Sequence, residues 1–191
     1  MCIMVLAVGC SSEGDKALMR GVLTENTFSS EFLGVSFEAP VGWIYATDEE
    51  IADMMGMTAE LLSDSGLNFS KKALERQSIY DMSVDDPKTF SSVIVCYENL
   101  SMVLGGTRYT EEQYLDTLAK QLQVLGMGYQ SVGEVYNQNL GTVEFSVMQF
   151  DIPEFKASQY YFVRKTGKYM SCIIITVFPG ATLEEILACF S

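Results

Sequence analysis

Two segments of this chain are apolar on both sides of a strand, and they constrain the fold more than any other feature. Ser92-Val93-Ile94-Val95-Cys96-Tyr97 is one, and Tyr169 to Phe178, centred on Cys172-Ile173-Ile174-Ile175, is the other. Successive side chains of a strand point to opposite faces, so both faces of these strands are hydrophobic. Such strands are stable only when covered above and below. The chain therefore needs a central sheet between two layers. Its 191 residues suffice for one domain or a domain with an appendage.

Other strands are legible around this pair. Gly21 to Ser30 reads as a first short strand. Phe32 to Glu38 alternates in the manner of a half-buried strand and stops at Pro40, after which Val41-Gly42-Trp43 forms a turn carrying the only Trp. Ile79 to Val84 leads through Asp85-Asp86-Pro87 into the apolar segment from Ser91 to Asn99. Tyr129 to Tyr136, Thr142 to Asp151, Lys156 to Arg164 and Tyr169 to Phe178 read as an antiparallel meander, with short turns at Asn137 to Gly141 and Lys165 to Lys168.

Helices are marked by capping boxes, in which a hydroxyl precedes an acid or amide by three residues. Thr47-Asp48-Glu49-Glu50 opens a helix with Ile51, Met54 and Met55 on its apolar side, ended by Gly56. Short helical stretches follow at Thr58 to Ser63 and within Phe69 to Gln77. Thr110-Glu111-Glu112-Gln113 opens the longest helix, Glu111 to Leu125, with Tyr114, Leu115, Leu118 and Leu122 on one face. Thr182-Leu183-Glu184-Glu185 opens the last. Helices early, middle and late supply layers for a two-faced sheet. The expected fold is thus α+β, a mainly antiparallel sheet flanked by helices on both faces in an α/β/α sandwich.

Composition closes several chemistries. There is no histidine, which removes the commonest general base, the Ser-His-Asp and Cys-His constellations and HExxH zinc sites. The 25 acidic against 12 basic residues give a net charge of −13, which repels phosphate backbones, so nucleic acid is not an expected partner. Of five cysteines, Cys2, Cys10, Cys96, Cys172 and Cys189, no two have CxxC spacing, and Cys96 and Cys172 fall in apolar strands as buried free thiols.

The amino terminus carries a different signal. An apolar run from Ile3 to Val8 leads into Leu6-Ala7-Val8-Gly9-Cys10 and then Ser11-Ser12. This resembles the end of a bacterial lipoprotein signal, in which cleavage before the cysteine is accompanied by lipid attachment to its thiol. No Lys or Arg precedes Cys10, and the apolar run is short for a secretory signal. The other reading of these residues is a short buried strand. On the lipoprotein reading, residues 1–9 are a residual signal, 10–20 an anchor and flexible tether, and 21–191 a single domain held to the membrane by lipid on Cys10.

Phe32-Leu33-Gly34-Val35-Ser36-Phe37-Glu38-Ala39-Pro40, then Gly42-Trp43 and Thr47-Asp48-Glu49-Glu50-Ile51, resembles the opening of PsbP-like lipoproteins of Gram-positive bacteria. The later order of strand, helix from Thr110, meander and Thr-Leu-Glu-Glu helix is similar too. The resemblance implies an α/β/α sandwich shared with photosystem II extrinsic subunits and a Ran-binding protein. It also implies binding of other proteins, with no common catalytic residues.

Candidate sites follow from residue type. Trp43, Met54, Met55 and Met57, with Tyr160 and Tyr161, form the expected binding surface. The Met residues are candidate adaptable contacts, although core packing beneath the first helix explains them better. Alternate members of Tyr160-Tyr161-Phe162 must face opposite sides, so at least half belong to the core. Asp48, Glu49 and Glu50 are better explained as helix-start acids than as cation ligands, and Asp81, Asp85 and Asp86 lack the EF-hand pattern. No catalytic residue, metal site or cofactor is expected. Two functions compete. One is an extracytoplasmic lipoprotein acting as a non-enzymatic interaction module for an unknown envelope protein. The other is a carrier of a small ligand in an apolar pocket between sheet and helix. A deep closed pocket near Trp43 and Met54 favours the carrier, and a shallow exposed patch favours partner binding.

Overall fold

The two-faced segments pair with each other at the heart of a seven-stranded antiparallel sheet. The structure, a computed structural model, describes residues 16–65, 68–124, 126 and 128–191. Among the described residues the first elements are β1 (Val22–Leu23), β2 (Thr27–Ser30) and β3 (Val35–Glu38), which form a separate three-stranded antiparallel sheet. Next come β4 (Ile44–Tyr45), α1 (Asp48–Met54), a small ladder of β5 (Ser63–Ser65) and β6 (Asn68–Phe69), and α2 (Lys71–Leu74). The hairpin of β7 (Ser78–Asp85) and β8 (Ser92–Asn99) leads to α3 (Glu111–Val124). The meander β9 (Gln130–Leu140), β10 (Val143–Ile152), β11 (Ala157–Thr166) and β12 (Tyr169–Val177) precedes α4 (Leu183–Leu187).

The main sheet runs β4-β7-β8-β12-β11-β10-β9. The helix α3 carries the chain from the central β8 to the far edge at β9, and the meander then returns so that β12 docks on β8. In that register Cys172 lies opposite Cys96 and Ile174 opposite Ile94. Each face of the sheet has its own core. Beneath α3, Leu115 and Leu122 pack on Phe150, Tyr161, Val163 and Met170. On the other face, Phe28, Phe37, Tyr97, Phe145, Phe162 and Ile173 fill the space between the main sheet and the small one.

This arrangement corrects the expected α/β/α sandwich. Strand accounts for 43% of the structure and helix for 25%, and helices do not flank the sheet on both faces. One face is covered by α3 together with the segment that leads into it from β8. The other is covered chiefly by a second sheet, with α1, α2 and α4 only 7, 4 and 5 residues long. At 1.5 Å per residue, α1 spans roughly 10 Å, whereas an eight-residue strand spans about 26 Å. Two-faced apolarity demands cover but does not say that the cover is helical. The segment 21–30 is also two strands of a hairpin rather than one. The capping boxes do form: Thr47, Thr110 and Thr182 each accept the backbone N–H three residues on, and Glu50, Gln113 and Glu185 reach back. Leu125, the expected last residue of α3, lies outside the described residues.

Packing begins before the expected start at residue 21. Leu18 belongs to the core, and the two terminal nitrogens of Arg20 donate to the two carboxylate oxygens of Asp48 at 3.0 and 2.5 Å. Asp81 organises this region. It stands where the β7–β8 register shifts, between Tyr80 and Met82, and its side chain is fully buried. It accepts the backbone N–H of Gly21 at 3.1 and 2.9 Å and the Tyr97 hydroxyl at 3.0 Å. Tyr97 in turn meets Ser30 Oγ at 3.3 Å. One carboxyl thus joins the entering chain, β7, β8 and, through Tyr97, β2.

The last residues run beside β3, with Ser36 and Ser191 exchanging backbone hydrogen bonds at 2.8 and 3.0 Å. Gly141, in the two-residue turn between β9 and β10, has a φ of 58°, and a Cβ there would lie 2.3 Å from the Ser191 carbonyl carbon. Gly141→Ala is therefore expected to cost at least about 1 kcal/mol in left-handed strain. It should also displace the terminal residues, measured as faster amide hydrogen exchange at Ser36.

Burial pushes the Asp81 carboxyl up from 3.8 to about 6, outweighing the hydrogen bonds from Gly21 and Tyr97 and the nearby Arg20, which pull it down. A folded value above the unfolded one means that the native state holds the extra proton between pH about 4 and about 6. Stability from this group is complete below the unfolded value and is lost as pH rises through the folded value. The stability of the wild type relative to Asp81→Asn should thus fall between pH 4 and pH 7 by an amount on the order of 1–3 kcal/mol. Denaturant unfolding across that range measures it, and a difference that is flat or rises with pH contradicts the assignment.

Candidate functional site

The turn that delivers Trp43 also builds an exposed apolar corner of the molecule. Trp43 N–H donates to the Pro40 carbonyl at 3.1 Å across Val41-Gly42, and Gly42 takes a φ of 95°. This is the geometry that a turn with glycine at its third position supports. Val41 at the tip is completely exposed. Trp43 itself is half-buried, its ring 6.3 Å from that of Phe37. Directly after the turn, Ile44 in β4 is 62% exposed and pairs with Asp85 at the end of β7.

The loop that continues from Asp85 holds a residue that the sequence did not single out. Phe90 is 70% exposed and has a φ of 66°, a conformation that costs a bulky residue on the order of 1–3 kcal/mol. Asp86 enforces it. Its carboxylate accepts from Lys88 N–H at 3.0 Å and from the Thr89 hydroxyl at 2.7 Å, while its carbonyl accepts Phe90 N–H and its own N–H donates to the Ser91 carbonyl, both at 2.8 Å. Those same contacts, led by the Lys88 N–H, hold the Asp86 carboxyl below its ordinary value. Ser91 Oγ accepts Phe178 N–H at 3.0 Å and ties the loop to the end of β12. The loop is a braced turn that presents an aromatic ring to solvent at the end of the sheet where Ile44 also lies. The only sequence signal was Asp86 four residues before a Phe in a loop.

The expected site residues do not come together as one surface. Met54, at the end of α1, is 42% exposed and faces an open hollow of about 380 Å³ with Ile44, Tyr45 and Pro87. Trp43 borders a neighbouring hollow of about 310 Å³ that shares Tyr45. Met55 and Met57 are buried in the core. Tyr160 is half-buried on β11, four strand spacings from β4, which is roughly 19 Å. Tyr161 points to the opposite face and packs edge-on against Phe150, with ring centroids 5.6 Å apart, in the core beneath α3. Cys10 lies outside the described residues.

The acids weighed as cation ligands are engaged separately. Asp48 pairs with Arg20, Glu50 closes its capping box, Asp81 is buried, and Asp86 braces its turn. Cys96 and Cys172 are free, buried and directly opposite across the central strand pair, with the Cys172 thiol 3.5 Å from Tyr114 Oη. The contact with Cys172, and then burial, raises the Cys96 thiol well above its usual value, which keeps it protonated and unreactive. Cys189 is half-buried, with its thiol directed at the Glu185 carbonyl.

Because the Phe90 conformation is strained, Phe90→Gly is expected to raise stability by roughly 1 kcal/mol. Chemical denaturation tests it, and a stability loss of similar size would place the ring in a packing role instead. No family model matches the chain, and no curated protein matches it in sequence.

Proposed function

We propose that the chain is a non-enzymatic interaction module of the cell envelope, anchored through lipid on Cys10, that meets a protein partner with the corner formed by Val41, Ile44, Met54 and Phe90. The observation that carries this reading is Phe90, an exposed aromatic held in a strained backbone by a turn that the Asp86 carboxylate braces. A ring that serves no core, kept at a cost in stability, is the signature of a surface built for contact. The adjoining hollows at Trp43 and Met54 are open rather than closed, which supports partner binding over a small-ligand carrier at this place.

Two further observations support the setting. The Gly9-Cys10-Ser11-Ser12 box resembles a lipidation site. The absence of histidine from the sequence removes the commonest acid–base and nucleophilic constellations.

The test is capture from intact envelopes with the full chain, followed by mass spectrometry. Ile44→Asp and Phe90→Asp alter exposed side chains and should each abolish the same captured species, while Tyr136→Ala, on the opposite edge of the sheet, leaves it unchanged. A photo-crosslinker at position 90 should mark that species and one at position 136 should not. Equal capture by all variants would exclude this corner as the interface. Membrane fractionation of Cys10→Ser tests the anchor separately, because it should release the chain to the soluble fraction with capture intact.

A further inference from the structure

A second site lies on the other side of the sheet, beneath the first turns of α3. There the β7–β8 edge, the loop after β8 and α3 enclose a cleft of about 250 Å³. Tyr109, Tyr114, Val103 and Leu118, all half-buried, supply its aromatic and aliphatic walls, and Glu98 and Ser78 supply its polar end. The Tyr114 hydroxyl is pinned to the sheet by the Cys172 thiol at 3.5 Å, so its ring is fixed as a wall.

Glu98 is anomalous. It is a half-buried carboxyl that faces a cleft, and its Oε1 accepts the Ser78 hydroxyl at 2.7 Å. Its contacts are with neutral groups, and none of the ion pairs among the described residues includes it. Burial pushes this carboxyl up. A carboxylate withdrawn from water without a cation is costly, and here the space beside it is open to a ligand. A divalent metal does not fit, because one carboxylate falls short of the several oxygen ligands that Ca²⁺ or Mg²⁺ requires. An anion is repelled both by Glu98 and by the −13 net charge, which attracts cations to the molecule.

We propose that this cleft binds a small organic ammonium ion. The ammonium head donates to Glu98, and the aliphatic body lies between the two tyrosine rings and Val103 and Leu118. Aromatic faces beside a carboxylate combine the two attractions that such cations use, a charge-assisted hydrogen bond and the ring quadrupole. The volume falls at or below the lower end of small-molecule sites, about 300 Å³, which restricts the ligand to a few carbons.

The experiment is titration of the full chain with n-butylammonium and with n-butanol, read by backbone amide shifts at Thr117 and Tyr109. Butylammonium should saturate those shifts and bind roughly tenfold or more tightly than butanol. Glu98→Gln should remove that preference, and Ser78→Ala, which leaves the carboxylate in place, should keep it. Val103→Trp, which fills the cleft from its loop wall without touching Glu98, should abolish binding and serves if Glu98→Gln does not fold. Equal binding of amine and alcohol, a preference that survives Glu98→Gln, or no saturable shift at these amides would overturn the assignment. The cleft and the Phe90 corner lie in different parts of the molecule, so failure at one leaves the other standing.

Discussion

The pairing of β8 with β12 is the contact on which the rest of the architecture depends. These strands bring together the hairpin side of the sheet, β4, β7 and β8, and the meander side, β9 to β12. Both are apolar on both faces, so pairing them creates two hydrophobic surfaces at once. One is closed by α3, and the other by the small sheet and the residues that run beside it. If this pair separated, each half would expose a two-faced edge that water cannot satisfy.

A buried carboxyl then fixes the entering chain to that centre. Asp81 projects inward at an irregularity of β7, where the ladder is already broken and a polar group can be accommodated. Its partners lie on different elements, so it acts as a rivet rather than as a surface charge. Arg20 completes the arrangement without fully joining it. Its Nε is buried 4.0 Å from Asp81 without a hydrogen-bond partner among the described residues, while its terminal nitrogens serve Asp48. In the Phe90 turn, by contrast, the Asp86 carboxylate is fully engaged with Lys88 N–H and Thr89 Oγ while the backbone at Phe90 is strained.

Much of this fold was legible in local signals. The three capping boxes, the central strand pair and the meander all follow from residue spacing. The kind of cover could not be read, because apolar periodicity reports burial and not the element that provides it. The β9 strand also runs on to Leu140 where a turn was expected at Asn137. Polar residues suit an edge strand whose side chains stay in water as well as they suit a loop. The candidate surface was read only in part. Trp43 and Met54 do lie at the exposed corner, but Met55, Met57 and Tyr161 were drawn into the core by packing that sequence order does not reveal. Phe90 and Glu98 were not singled out because a positive backbone angle and a half-buried carboxyl whose partner is a neutral hydroxyl leave no motif.

The position of Cys96 opposite Cys172 gives the chain a built-in reporter of its own assembly. The β7–β8 hairpin and the β9–β12 meander each consist of contacts close in sequence and can form early. Joining them requires closure across α3, and nonlocal closures of this kind come late. Until then each thiol sits on an uncovered strand and is open to reagents. Once β12 has docked and α3 has closed over it, both vanish from solvent in the same step. The time at which these two sulfurs cease to react during refolding is the time at which the sheet becomes one piece.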